Sequence, residues 1–142
     1  MYLNKLGEAD VEDLVKNVDL KYILRCVLKL SSTDVSIYHT LLGNDGNDPL
    51  TVSEISTIVR KSRSTVEKSL MKLIQLGLVG RRAVLTRRGG YTYVYYALPI
   101  DHVKQRLLQL VASYYNIARE LIESTTPLSM VKSIEESGLS GE

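Results

Sequence analysis

The apolar positions fall at helical spacing through the first half of the chain, switch to alternation, and then return to helical spacing. Val11, Leu14, Val15 and Val18 share one helical side, and Leu20, Ile23, Leu24 and Val27 share another, so residues 4–30 read as one or two short helices. Val35, Tyr38, Leu41 and Leu42 mark the next helix, capped by Thr33 or Asp34 and ended by the turn-rich GNDGNDP at 43–49. Thr51-Val52-Ser53-Glu54 has capping-box spacing and opens a short helix with Ile55, Ile58 and Val59 inward. A tight turn follows. Val66, Leu70, Leu73 and Gly77 then line one side of a further helix, and Ser64, Thr65, Lys68 and Lys72 line the opposite side. Ser62 is the expected N-cap, with Ser64–Glu67 as an alternative box, and Gly77 the expected left-handed C-cap.

Past Gly77 the period becomes two. Leu78–Thr86 and Tyr91–Leu98 read as strands, joined through Arg87-Arg88-Gly89-Gly90 at a hairpin tip and ended by Pro99. Tyr91, Tyr93 and Tyr95 alternate onto one face, where they are expected to pack the hairpin on the domain. Asp101 is expected to cap a long helix running to about Ser124. Its apolar stripe is Ile100, Val103, Leu107, Leu110, Tyr114, Ile117 and Leu121. Leu108, Val111, Tyr115, Ala118 and Ile122 widen it. One short helix around Leu128–Ile134 is expected in the tail.

With 142 residues, 44% of them apolar, the chain suits one domain with appended helices. It has no Phe and no Trp, so its core must use Leu, Ile, Val and Tyr. The net charge of +2 hides an uneven distribution. Arg60–Arg88 holds nine basic residues and one acidic, a local +8, and the remainder sums to −6. A basic island in an acidic chain is the electrostatic footprint of a polyanion partner. No apolar run reaches the roughly 18 residues of a membrane span, and the start lacks the apolar stretch of a signal peptide. A lone cysteine, Cys26, excludes an internal disulfide and a multi-cysteine metal site. It lies among apolar residues where burial would dull it, and a cytoplasmic location is expected. His39 and His102 carry no metal-site spacing. No triad order, phosphate loop or paired carboxylates argue for an enzyme, a cofactor or a metal.

Three helices, a tight turn between the second and third, and a two-stranded hairpin are the order of a winged helix-turn-helix. The fold class is mainly α with a small β-hairpin wing, with N-terminal helices and a long C-terminal dimerisation helix. The expected divisions are an N-terminal extension at 1–30, a DNA-binding domain at 31–99, a dimerisation helix at 100–124 and a weakly structured tail at 125–142. Double-stranded DNA is the expected partner. The candidate contacts in the turn and recognition helix (62–76) are Arg60, Lys61, Ser62, Arg63, Ser64, Thr65, Lys68 and Lys72. In the wing (78–98) they are Arg81, Arg82, Arg87, Arg88, Gly89 and Gly90, reaching flanking backbone or minor groove. Val103, Leu107, Leu110, Val111, Tyr114, Ile117, Ala118 and Leu121 are the candidate homodimer seam. Two alternatives stand beside this reading. One is an architectural binder with little sequence preference, since Arg63 is the only strong base reader in the first turn. The other is a winged helix used for protein contacts, against which the basic island argues.

Residues 31–98 resemble the TrmB-like winged-helix domain of archaeal transcription regulators, and more loosely the MarR-like group. The resemblance rests on LSSTDVSIYHTLL, PLTVSEISTIV, SRSTVEKSLMKLIQLGLVGRR and GGYTYVYYALP, and covers about half the chain. It implies a DNA-binding regulator whose recognition helix starts at Ser62 and whose wing ends at Pro99. Full-length TrmB proteins carry a large C-terminal sugar-binding domain, whereas about 43 residues follow the wing here. Sugar sensing is therefore not carried over.

Overall fold

The computed structural model describes Asp13, Val15, Lys16, residues 18–43 and residues 48–139. Most of the first expected helical repeat, with Val11 and Leu14, lies outside these residues, as do 44–47 of the expected turn and the last residues of the tail. The chain divides into two compact units, up to Leu107 and from Leu108 onward.

In the first unit, α1 (Leu20–Tyr22) runs into a wider helical turn at Ile23–Val27. Then come α2 (Ser32–Gly43), α3 (Val52–Val59), α4 (Arg63–Gln75), β1 (Val79–Leu85) and β2 (Tyr91–Ala97). The start of α5 (Ile100–Glu123) completes the unit. The strands pair antiparallel from Val79 with Ala97 to Leu85 with Tyr91. Leu50 adds a short bridge to Tyr95, giving and receiving one backbone bond at 3.0 and 2.8 Å. The core gathers Leu30, Ile37, Leu41, Ile55, Val66, Leu70, Leu73, Leu78 and Val79, with Tyr95 as its β2 aromatic.

The cap of α2 is Ser31 rather than Thr33 or Asp34. Ser31 Oγ accepts the Asp34 N–H at 3.0 Å and Asp34 Oδ2 accepts the Ser31 N–H at 2.8 Å, a capping box with Asp34 at its third position. Ile37 joins Tyr38 and Leu41 on the buried side, and Leu42 is exposed. The Thr51–Glu54 box opens α3 as expected. That helix buries Val52 and Ile55, however, and leaves Ile58 exposed, because its first turn meets the core. Arg60 follows α3 in the left-handed region, at φ 57°.

Ser62 caps α4, its Oγ accepting the Thr65 N–H. Gly77, at φ 81°, ends the helix as expected. Leu78 N–H reaches Leu73 O and Gly77 N–H reaches Ile74 O, both at 3.0 Å, the two bonds of a Schellman motif. Arg106 from α5 completes this end by donating from Nε to Leu76 O at 3.1 Å and from Nη2 to Gln75 O at 3.4 Å. A cation suits the negative end of the helix dipole. A Cβ at Gly77 would meet the Arg106 side chain at 2.7 Å, so glycine serves the contact as well as the conformation.

Helix α5 begins at Ile100, with Val103 N–H bonded to Pro99 O, so Asp101 lies in the first turn instead of capping it. The remainder of α5 and α6 (Pro127–Ile134) form the second unit. Thr126 caps α6, with Pro127 at the first position. Cys26, expected to be buried, is exposed.

Candidate nucleic-acid interface

Helices α3 and α4 are joined by Arg60-Lys61-Ser62, three residues that leave little freedom in how the pair is set. Ser56 locks the turn by donating its hydroxyl to the Lys61 carbonyl and accepting the Lys61 N–H at its own carbonyl. The Ser62 hydroxyl donates to Thr65 Oγ1 at 2.9 Å and lies 3.3 Å from Ser64 Oγ. Arg60, Lys61, Ser62, Arg63, Ser64 and Lys68 are exposed and Thr65 is half-buried. Among the described residues, Lys68 makes no ion pair.

Arg63 is held in place before any partner arrives. Its Nε donates to Glu67 Oε1 at 3.2 Å and its Nη1 to Ser53 Oγ at 3.2 Å. The same residues line a cleft of about 410 Å³, shared with Thr86, Tyr91, Thr92 and Tyr93 of the hairpin. The cleft sets the outer end of the wing beside the first turn of α4. At the tip, Thr86 N–H bonds Gly90 O at 2.9 Å and Gly89 N–H bonds Thr86 O at 3.1 Å. Gly89 and Gly90 take φ of 80° and 89°, which an L side chain resists. Arg87 and Arg88 project from this turn, both exposed.

Two expected contacts stand differently. Lys72 leaves the exposed side of α4 and turns toward α2. Its Nζ donates to Asp34 Oδ2 at 2.9 Å and to Lys29 O at 2.6 Å. Asp34 is buried and also accepts from Ser69 Oγ at 2.5 Å, which explains why a serine sits in the buried stripe. Burial alone would raise the Asp34 carboxyl pKa. The hydrogen bonds from Ser69, Lys72 and Ser31 outweigh burial and hold it below the ordinary value. Arg81 packs on the wing, its guanidinium carbon 4.2 Å from the Tyr93 ring centroid and Nη1 3.9 Å from Met71 Sδ. Arg82, on the other face of β1, is exposed. The tyrosine face is graded: Tyr95 is 6% exposed, Tyr93 47% and Tyr91 77%. Only Tyr95 packs into the core as expected of all three, because the hairpin leaves the domain as it approaches its tip.

The candidate dimer seam also divides. Val103 is 2% exposed and lies in the core of the first unit, with Leu107 packed against it. Those two side chains serve the chain's own domain. Beyond them, Val111, Tyr114, Ile117 and Leu121 are exposed, Leu110 and Ala118 are half-buried, and Leu108, Tyr115 and Ile122 add further exposed apolar surface.

The sequence did not reveal two features. The Asp34–Lys72 pair spans 38 positions, a distance no local pattern encodes. An apolar groove of about 220 Å³ lies between Leu20 and Leu24 of the N-terminal segment, Val35 and Leu42 of α2, and Ile100 and Leu107 of α5. Among the described residues no group of His, Cys, Asp or Glu is arranged to hold a metal. No helix there is long and apolar enough to cross a membrane.

A basic helix set tightly after another, with an arginine-tipped hairpin beside its first turn, defines a winged helix-turn-helix of the transcription-regulator class. The family model described as "Sugar-specific transcriptional regulator TrmB" matches residues 24–101, and the chain belongs to this family of transcription regulators. It is 34% identical over 113 residues to the uncharacterized protein MJ1082 of Methanocaldococcus jannaschii, covering 80% of this chain and 83% of that one. Among solved structures it is similar to a possible transcriptional regulator from Methanosarcina mazei Go1, with a TM-score of 0.63 and 22% identity. That match covers 77% of this chain and 91% of the other, and speaks to the fold. The ST1889 protein of the thermoacidophilic archaeon Sulfolobus tokodaii is 30% identical with a TM-score of 0.54, over 69% of this chain and 93% of that one.

Proposed function

We propose that the chain is a DNA-binding transcription regulator that acts in the cytoplasm as a homodimer on double-stranded DNA. The observation that carries this reading is the cleft that sets the wing tip beside the first turn of α4. On either side of it, Arg60, Lys61, Arg63 and Lys68 of the turn and α4, and Arg87 and Arg88 of the wing tip, are exposed. Helix α4 enters the major groove with Ser64, Thr65 and Lys68 foremost, and Arg63 reads a base edge from its wing-side flank. Arg60, Lys61, Lys68, Arg87 and Arg88 meet phosphates. Lys72 is removed from that set because Asp34 neutralises it. The dimer forms through α5 beyond Leu107, with Val111, Tyr114, Ile117 and Leu121 at the seam.

A second reading is favoured by one observation. Arg63 is already bonded to Glu67 and Ser53, so a duplex must compete for the only strong base reader in the first turn. A binder that relies on phosphates and groove shape would result, with little sequence preference. Footprinting on the DNA upstream of the gene separates the two. The regulator reading expects two protected half-sites with centres one helical turn apart, about 34 Å. Uniform, unbounded protection sinks it in favour of the architectural reading.

A further inference from the structure

Arg63 opens α4, and its charge does not suit the helix it opens. A cation in the first turn faces the positive end of the helix dipole, and an i,i+4 ion pair stabilises a helix more when the acid comes first. Arg63 and Glu67 go against both preferences. Their side chains are 65% and 50% exposed, where an ion pair adds little to stability. Glu67 is also the one acidic residue between Arg60 and Arg88. An acid on that surface weakens the attraction for a polyanion. Neither helix stability nor general affinity for DNA accounts for Glu67 in this place.

What Glu67 does is fix a direction. Arg63 Nε donates to Glu67 Oε1 one turn further along α4, and Nη1 donates to Ser53 Oγ in the first turn of α3, both at 3.2 Å. The guanidinium is thus tied to both helices of the helix-turn-helix, and all three residues line the cleft shared with the wing. A guanidinium carries five N–H donors, and these two bonds are the ones Arg63 makes among the described residues. A bidentate contact to guanine O6 and N7 needs two donors. A duplex therefore competes only for the donors already held, and can engage the others with both holds in place. Ordering a long side chain before the partner arrives removes part of the cost of ordering it on the base.

We propose that Glu67 and Ser53 are positioning residues that present Arg63 to a guanine, and that they set the sequence preference at that base rather than the strength of binding to DNA in general. This rests on the DNA-binding reading above.

The test uses the full chain with a duplex carrying the footprinted upstream site, a scrambled duplex of equal length, and versions of the site in which each G·C pair is replaced in turn by A·T. Fluorescence anisotropy compares wild type with Arg63→Ala, Ser53→Ala, Glu67→Ala and Glu67→Gln, and thermal melting is run on each. In wild type, one G·C pair in each half-site should carry a preference of about ten- to a hundredfold, which Arg63→Ala removes. Ser53→Ala and Glu67→Ala should each cut that preference by about three- to tenfold, because Arg63 must then be ordered on binding. Glu67→Ala should at the same time raise affinity for the scrambled duplex, since an acid is gone and Arg63 is free to reach a phosphate. Glu67→Gln keeps an acceptor oxygen for Nε, so it should keep most of the wild-type preference while binding the scrambled duplex more tightly. A role in helix stability alone gives a different result: a lower melting temperature, both duplexes weakened together, and the base preference unchanged. That result, a preference that survives Arg63→Ala, or a wild-type base profile in both Ser53→Ala and Glu67→Ala overturns the proposal and leaves the regulator reading intact. If wild type binds the site and the scrambled duplex alike, the regulator reading fails and this proposal fails with it.

Discussion

Asp34 ties α4 to α2. It caps α2 and holds Ser69 and Lys72 of α4 at the same time. Asp34→Asn keeps the shape but cannot neutralise the ammonium. We expect a loss of about 2–3 kcal/mol, below the range for a fully buried pair because Lys72 can turn to solvent. The pH dependence has a definite sign. The folded-state pKa lies below the ordinary 3.8, so the stabilisation is complete above that value and is lost as pH falls through the folded pKa. Melting curves from neutral pH to about pH 3 should therefore fall more steeply in wild type than in Asp34→Asn, and parallel curves would contradict this. Lys72 shows what a helical wheel does not register. A helical wheel sets it on the polar side of α4, but a long side chain near the edge of that side can reach an acid on a neighbouring helix.

At the scale of elements, most caps and periods were legible because they are local, although Ser31 rather than Thr33 or Asp34 caps α2 and α5 starts ahead of Asp101. The Thr51–Glu54 box, the Ser62 cap, the Gly77 stop and the Gly89-Gly90 tip all stand where their spacing puts them. Facing was less legible wherever it depends on what lies opposite. Alternation puts three tyrosines on one face of β2, but only a neighbour decides how far along the strand burial extends. Helix α5 poses the same problem at larger scale. One continuous apolar stripe serves the chain's own core at Val103 and Leu107, then runs on exposed to Leu121. Its pattern does not change where its burial does. Ile117 and Leu121 are 60% and 64% exposed, so Ile117→Glu/Leu121→Glu should change the stability of the single chain by less than about 1 kcal/mol. The same double variant should abolish the proposed dimer. Sedimentation equilibrium checks this, and an unchanged mass would move the interface elsewhere.

For the whole molecule, the uneven charge is the most informative property of the sequence, and the fold gives it direction. The turn before α4, α4 itself and the wing tip carry Arg60, Lys61, Arg63, Lys68, Arg87 and Arg88, while Lys72 pairs with Asp34 and Arg81 lies over the Tyr93 ring. The regulator family was legible in the sequence. Which basic residues pair within the chain was not, because those pairs are far apart in sequence. The most direct test is fluorescence anisotropy on the gene's own upstream DNA and on a scrambled duplex of equal length, over a salt series. The account predicts that the upstream DNA is favoured by about 10³ or more at physiological salt, with a slope of about −0.9 for each phosphate engaged. Equal affinity for the two duplexes would contradict the regulator reading, and no binding to either would contradict DNA as the partner.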